Sequence, residues 1–486
     1  FGMNYGETST ASRRIITQSK KKKRKMRSKL ILFLLISFLA NSQSKTLHPE
    51  AFLKIVQTYH PQARQAQIGV LKSNAELLSA RGGFDPILSH YSSKKTLDGK
   101  NYYEYHAPEL NIPTWYGIEL SAGSQSLNGG RLDPSQTSGQ TAYMGISVPL
   151  AKNLVIDKRR AALQQAKIGI QMAGQEQRLV LNELINEAMN AYWNWAKSHR
   201  VLQIVENNLG VAKRRVELVK RSVELGERPA VDTLEAFTQQ QFFENLYQAK
   251  WVAYENSRLE LSVYLWKEGN VPMDLPSDVT PDGSLTDKTL FANFDLNLPS
   301  LLTKAQENHP SLNAYTNKLE ILTIERRLKF QSLLPKLDLQ YNQLSRNGFE
   351  LHSTGLLDNN FQYGIKFEMP LRLSQGRGDF QKAKLKLEEE TLNRSQKSQQ
   401  IQVKVSSYYN QFISLQKQVQ TQEQAVANYQ ALVKAEETRF QQGESSLFLI
   451  NSRETKAMEA AEKLVDLQAY LFQSIYTLQA SAGVLM

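Results

Sequence analysis

The 486 residues carry a formal net charge of +12 and no cysteine, a length that holds two or three ordinary domains or one elongated architecture. Without cysteine there are no disulfides, no thiol catalysis, no cysteine metal sites and no lipidated N-terminal cysteine. The charge first suggests nucleic acid as a partner, but residues 1–42 hold ten Lys/Arg against the single acid Glu7, which leaves only +3 on the other 444 residues.

That leader has the form of a secretory signal. A basic run, Lys20–Lys29, precedes the apolar stretch Leu30–Ala40. Its eleven residues are too few to span a bilayer, which needs roughly 20. Small residues at Ala40 and Ser42 set an expected cleavage before Gln43, and Met26 is the expected start, with residues 1–25 upstream of it. The competing reading is a basic nuclear-type tract beside a buried helix. Beyond residue 42 no run of 18 apolar residues occurs, so a membrane-spanning mature chain has to span with strands.

Two halves of the chain resemble each other. His60-Pro61 recurs as His309-Pro310, and Pro86 with Leu88 recurs as Pro335 with Leu337, both at an offset of 249. Tyr192 and Tyr409, then Gly226 and Gly443, recur at an offset of 217. Pro86 to Pro149 spans 63 residues against 35 from Pro335 to Pro370, which supplies 28 of the change. The expected organisation is 1–42 as extension and signal, 43–268 as repeat one, 269–299 as a linker rich in Pro, Gly, Asp and Ser, and 300–486 as repeat two. Each repeat is expected to hold short helices, a strand hairpin (about 84–150 and 335–371) and a long helical hairpin (about 154–268 and 377–484).

No proline occurs from Leu150 to Arg228, nor anywhere after Pro370. In the first half Leu181, Leu184, Ala188, Ala191, Trp195, Ser198, Leu202, Val205, Leu209, Ala212, Val216, Val219 and Val223 step by three and four; Val405, Tyr408, Phe412, Leu415, Val419, Val426, Tyr429, Val433 and Phe440 keep the same phase in the second, interrupted by Gln422 and Glu436. This seam calls for coiled-coil packing. About 70 residues give a rod of roughly 100 Å, expected to end at Gly226 or Gly443, where a left-handed glycine closes the helix.

The proline-bounded regions alternate with period two. Phe361, Tyr363, Ile365, Phe367 and Met369 alternate with Gln362, Gly364, Lys366 and Glu368, and Leu337, Leu339 and Tyr341 with Asp338, Gln340 and Asn342, across the Asn347–Asn360 turn. In the first half Tyr116–Ala122 and Met144–Val148 alternate less cleanly, while Leu97–Pro113 and Asn128–Gln140 read as loops. Such strands suit a barrel wall between lipid and water or a half-buried soluble sheet. About four strands per chain cannot close a barrel, and open edges are not tolerated in hydrocarbon, so a membrane reading makes the chain an oligomer. The expected fold class is mainly α with transmembrane β: long coiled-coil hairpins of an α-helical barrel, a β-barrel shared between protomers, and two internal repeats.

This arrangement resembles the TolC-like outer-membrane efflux family over nearly all of residues 47–486. The segment Leu225-Gly226-Glu227-Arg228-Pro229-Ala230-Val231-Asp232-Thr233-Leu234 looks like that family's glycine turn with a following aspartate, and Gln442-Gly443-Glu444-Ser445-Ser446-Leu447-Phe448-Leu449-Ile450 holds the same place in repeat two. His60-Pro61 and His309-Pro310 sit where the family often has Asn-Pro, and Phe84-Asp85-Pro86 and Leu334-Pro335 at the helix-to-strand crossing. The resemblance implies a homotrimer with a twelve-stranded β-barrel in outer-membrane lipid and a twelve-helix α-barrel across the periplasm. It also implies docking to a periplasmic adaptor joined to an inner-membrane pump of RND or ABC type, and passive conduction without bond chemistry. Gly226, Asp232, Leu234, Gly443, Glu444 and Leu447 become the expected periplasmic tip residues. One departure is that the acidic ring of familiar second tips falls here on Leu449 and Ser452, beside Phe448. Phe448 and Leu449 then form either a hydrophobic constriction, as in dewetting gates, or part of the helix-hairpin seam.

Other chemistry finds little footing. The seven histidines are scattered with no HExxH, so no metal site is expected, and no phosphate-binding glycine motif supports a nucleotide cofactor. Trp193, Trp195, Trp251 and Trp266 fall at helical spacing and read as packing. Lys213-Arg214-Arg215 and Lys220-Arg221 read as a solvated face or as a surface for an acidic adaptor. No catalytic residue is expected, and nucleic acid is not an expected partner. The alternatives to a channel are a soluble or envelope-attached structural coiled coil, a basic nucleoid-type coiled coil, and an envelope hydrolase or adhesin on a helical stalk.

Overall fold

The computed structural model describes residues 45–130, 137–282, 294–346 and 360–485. The leader expected at 1–42 and most of the Asn347–Asn360 turn lie outside the described residues. In chain order come β1 (Lys45–Leu47), α1 (Pro49–Tyr59), α2 (Pro61–Gly82), β2 (Ile87–Leu97), β3 (Lys100–Pro113), β4 (Glu119–Asn128), β5 (Gly139–Pro149), α3 (Lys158–Glu224) and α4 (Ala230–Ser262). Short strands β6 (Trp266–Lys267), β7 (Val271–Pro272) and β8 (Val279–Pro281) follow. Then come α5 (Leu298–Asn308), α6 (Pro310–Phe330), β9 (Lys336–Ser345), β10 (Phe361–Glu368), α7 (Ser374–Gln441) and α8 (Leu447–Ala482).

Helix starts follow local chemistry. His60 and His309 stand at the N-caps of α2 and α6, each accepting through Nδ1 from the backbone N–H two residues on, at 3.3 and 3.1 Å, with Pro61 and Pro310 in the first turn. Asp157 caps α3 by accepting from the Arg160 N–H at 2.8 Å. With 67 and 68 residues, α3 and α7 are each roughly 100 Å long at 1.5 Å per residue. The heptad residues of α3 form its buried stripe, from Leu181 through Trp195 and Val205 to Val219. Both interruptions on α7 reach polar partners: Gln422 donates to the Ala460 carbonyl at 2.9 Å, and buried Glu436 accepts from the Ser445 hydroxyl at 2.5 Å.

The largest core lies midway, where Phe52 of α1 stacks on Tyr192 and Phe472 of α8 stacks on Trp193. Trp193 and Trp195 are fully buried there, as expected. Trp251 is not: it is about half exposed. The stretch expected as a plain linker carries β7 and β8, and β8 pairs in parallel with β1.

The strand count differs from expectation. One six-stranded antiparallel sheet runs in the order β10-β9-β5-β4-β3-β2. Region 84–150 therefore holds four strands, not one hairpin, and Leu97–Pro113 is strand on either side of an Asp98-Gly99 turn, not loop. The physical reason is the Asp98-Gly99 pair, with φ of 51° and 70°, which forms the two-residue primed turn that reverses a hairpin without splaying its strands. Alternation was obscured because Tyr102 and Tyr103 occupy opposite faces of β3. The β2–β3 hairpin, Ile87–Pro113, is of the size of the 28-residue excess found between Pro86 and Pro149.

Candidate functional site

Two places concentrate unusual geometry: the far ends of the long helical hairpins, and the six-stranded sheet at the opposite end of the rods. At the first tip Leu225 caps α3 and Gly226 takes φ +76°. The Gly226 N–H donates to the Val223 carbonyl at 3.0 Å and the Glu227 N–H to Ser222 at 2.9 Å. The second tip repeats this: Gly443 has φ +80°, its N–H donates to Phe440 at 3.1 Å, and the Glu444 N–H donates to Arg439 at 2.9 Å. These are paired Schellman closures, which need a left-handed residue after the cap and so favour glycine. A Cβ at either position meets nothing within 4 Å, so the demand is conformational and not steric crowding.

Of the expected tip residues, Leu447 is buried among Val216, Val219 and Ala236, with Val223 and Phe440 against them. Asp232 is half-buried and holds Arg228 at 3.4 Å. Leu234, Gly443 and Glu444 are exposed, as is Gly226. Phe448 and Leu449 are 66% and 41% exposed, so within one chain they do not fill the seam between the helices. The cluster Lys213-Arg214-Arg215 is split by the fold. Lys213 lies 3.8 Å from Glu244, whereas Arg215, 13% exposed, turns inward. Arg215 Nη1 donates to Glu454 Oε2 at 2.5 Å and Nη2 pairs with the other oxygen of the same carboxylate, with Glu437 at 3.7 Å. Arg215 therefore departs from the expectation that the cluster is a solvated face or a surface for an acidic adaptor. The signal for burial was its place one residue before Val216 of the apolar seam.

Arg228, which no local pattern in the sequence marks, has its guanidinium carbon 3.8 Å from the Phe440 ring centroid. Asn451 donates to Glu235 at 3.0 Å. The two hairpins are thus joined near their tips by polar contacts of α4 with α8 and by one cation–π contact. At the root of each hairpin, burial lowers the pKa of His60, and that of His309 to about 4. Each ring stays neutral and also hydrogen-bonds the backbone near the end of a returning helix, at Val263 and Ser481.

The sheet has two chemically distinct faces. One carries the ladder rows Ile365–Leu339–Val148, then Tyr363–Tyr341–Ile146–Leu120–Ile112, then Phe361–Gln343–Met144–Ala122–Leu110–Leu88. The other carries Gly364–Gln340–Ser147–Glu119–Pro113 and Gln362–Asn342–Gly145–Ser121–Asn111–Ile87. The apolar face is open in one chain: Tyr363, Ile365, Phe367 and Leu88 are each more than half exposed. Large contiguous apolar patches mark membrane or protein contacts. Among the described residues no helix is long and apolar enough to cross a membrane, and no group of side chains is placed to hold a metal ion.

A sequence profile of the family described as Outer membrane efflux protein matches residues 112–262 and 301–484. The fold is similar to the CmeC outer membrane channel of Campylobacter jejuni, with a TM-score of 0.62 and 13% identity, covering 90% of this chain and 85% of that one. It is similar to the outer membrane protein VceC of Vibrio cholerae (TM-score 0.60, 15% identity, 90% and 96% covered). It is also similar to the MtrE outer membrane channel of Neisseria gonorrhoeae in its open state (TM-score 0.62, 14% identity, 90% and 88% covered). A comparison with curated proteins found no match. Such channels are passive ducts of the outer membrane that extend into the periplasm, and they are not enzymes. With its profile matched over most of its length and its rods and sheet arranged as in these channels, the chain belongs to the outer membrane efflux protein family.

Proposed function

We propose that three copies of the chain form the outer-membrane exit duct of a tripartite efflux pump or a type I secretion system. The sheet carries the chain's share of a transmembrane β-barrel. The long hairpins of two internal repeats are its share of a periplasmic α-barrel. The single observation that carries this reading is a sheet with one apolar face and two open edges, mounted on rods of about 100 Å. A sheet with free edges is not stable in hydrocarbon, because unpaired backbone groups there cost several kcal/mol each. Closure with copies of itself removes both edges.

The duct does no bond chemistry. Its lumen gives solutes an aqueous path around the hydrocarbon, and an energised inner-membrane pump of RND or ABC type supplies the work through a periplasmic adaptor. The tips around Gly226 and Gly443, with Asp232, Leu234, Glu444 and Leu447, are the proposed adaptor-facing surface, and Phe448 and Leu449 the proposed constriction. A strain lacking the chain but retaining its pumps is expected to accumulate a fluorescent pump substrate or to lose a secreted protein, with recovery on complementation. Unchanged accumulation and an unchanged secreted-protein profile would sink the reading.

A further inference from the structure

We infer, resting on the duct reading above, that the β2–β3 hairpin covers the β4 edge of the unassembled chain and gives it up to β10 of a second copy when the duct closes.

The hairpin lacks the surface of a membrane wall. Leu88 and Leu110 stand on the apolar face, but that face continues along the hairpin as His90–Pro108, Ser92–His106 and Lys94–Glu104. Lys94 pairs with Glu104 at 2.9 Å, and His106 lies 3.5 Å from Glu104. Lys94 is seven residues beyond Ile87. At about 3.3 Å per residue along a strand tilted about 40° it reaches only about 18 Å, inside an apolar band about 25 Å tall. Charged groups at that depth belong in water and not against lipid. On β10, by contrast, Phe361, Tyr363, Ile365 and Phe367 share the apolar face.

The seam between the hairpin and the rest of the sheet is the interrupted one. The β4–β5, β5–β9 and β9–β10 ladders run without a break, whereas β3–β4 is broken at Ala107 and Pro108. Pro108 has no N–H to donate, and proline in a sheet belongs on an edge or at a bulge. Here β3 has a strand on either side. The fit is still specific. A Cβ on Gly123 would stand 2.7 Å from the Pro108 carbonyl oxygen and 2.8 Å from the Tyr143 hydroxyl, so β3 seats on β4 through the gap that a glycine leaves.

Both connectors of the hairpin lie at the helix-side end, residues 83–86 before β2 and 114–118 after β3. Phe84 stacks on Trp115 across them, with ring centroids 4.7 Å apart. Arg160 Nη1 donates to the carbonyls of Tyr116 at 3.4 Å and Leu154 at 3.0 Å, which ties the second connector to the root of α3. The hairpin is thus hinged at its base and turns out of the sheet while β4 keeps its pairing with β5. Strand direction admits the exchange. All five pairings are antiparallel, so β4 leaves the helical end and β10 returns to it, as β3 does. A bare edge pairs with any strand that meets it; a polar hairpin on β4 withholds that edge until a second copy competes for it.

Locking the seam tests this. His106 and Ser126 are directly opposed across β3 and β4, and Ser126 and Gln140 across β4 and β5, close enough for a disulfide. The chain has no cysteine of its own, so His106→Cys with Ser126→Cys locks the hairpin, and Ser126→Cys with Gln140→Cys is the control on the other side of the same strand. In protein refolded from denaturant into detergent, both pairs are expected to oxidise within single chains. The first is expected to abolish the trimer in unheated gels, with recovery on reduction, and the second to leave it unchanged. In the unmutated protein, the β3 amides directed at β4 are expected to exchange with deuterium at least about tenfold faster in the trimer than in the single chain. A locked chain that trimerises at the normal yield, a first pair that stays reduced where the control oxidises, or equal β3 protection in both forms overturns the edge guard alone. An unmutated chain that never trimerises overturns it together with the duct reading.

Discussion

The guanidinium of Arg228, at the start of the first returning helix, lies 3.8 Å from the ring centroid of Phe440 at the end of the second rod. The two tips of one protomer are therefore in direct contact, and Asp232 at 3.4 Å keeps Arg228 oriented. A cation–π contact that is partly exposed contributes about 0.5–1 kcal/mol. A double-mutant cycle with Arg228→Ala and Phe440→Leu, read by thermal unfolding of the purified channel, is expected to give a coupling of that size. Strict additivity would remove the contact from the account.

Gly226→Val and Gly443→Val each force a β-branched residue into a left-handed backbone. Nothing crowds the new Cβ, so the cost is conformational, about 1–2 kcal/mol, and local to the tip. Both variants are expected to insert and assemble normally yet to export poorly. Normal drug tolerance in both would separate these glycines from docking.

The Arg215–Glu454 pair is the most buried ion pair near the tips, with side chains 13% and 7% exposed. Removing one partner of a buried pair costs about 3–5 kcal/mol. Here Glu437, 3.7 Å from Arg215, offsets part of the loss, so Glu454→Gln is expected at the lower end of that range. Hydrogen exchange at the amides of Val216 and Val219 is the measurement. Unchanged protection would show the pair to be incidental.

His309 supplies a pH dependence with a definite sign. Burial holds its folded pKa at about 4 against an ordinary value of 6.5, so the unfolded chain binds the proton more readily between those values. Stability is then complete above about 6.5, falls as the pH drops toward 4, and levels off below. The loss is on the order of 3 kcal/mol per chain. His60 and His199 are shifted in the same direction by burial and add to the slope. His309→Gln is expected to flatten the melting profile across this window. A profile as steep as the original would assign the effect elsewhere.

Local chemistry was the most legible part of the sequence. The three-four stepping of Leu181 through Val223 marks a helix long before any packing is known, and Gly226 and Gly443 mark its closure because few residues tolerate that backbone. The alternation of Phe361–Met369 is equally plain, since one face of β10 is uniformly apolar. The β2–β3 hairpin was hidden by its polar far end, where Ser92, Lys94, Glu104 and His106 remove the alternation that reveals a strand. Only the Asp98-Gly99 turn betrayed it. Contacts between distant segments, such as Arg228 with Phe440 or Arg215 with Glu454, carry no local pattern. They follow from the way the two hairpins lie side by side, with α3 packed against α8.

The mass of the mature protein, extracted from the outer membrane in mild detergent and measured with and without boiling, tests the central claim most directly. The account predicts a trimer that resists sodium dodecyl sulfate when unheated and separates into single chains when boiled, with strand signal retained in the unheated form. A monodisperse single chain, soluble in water without detergent, would contradict it.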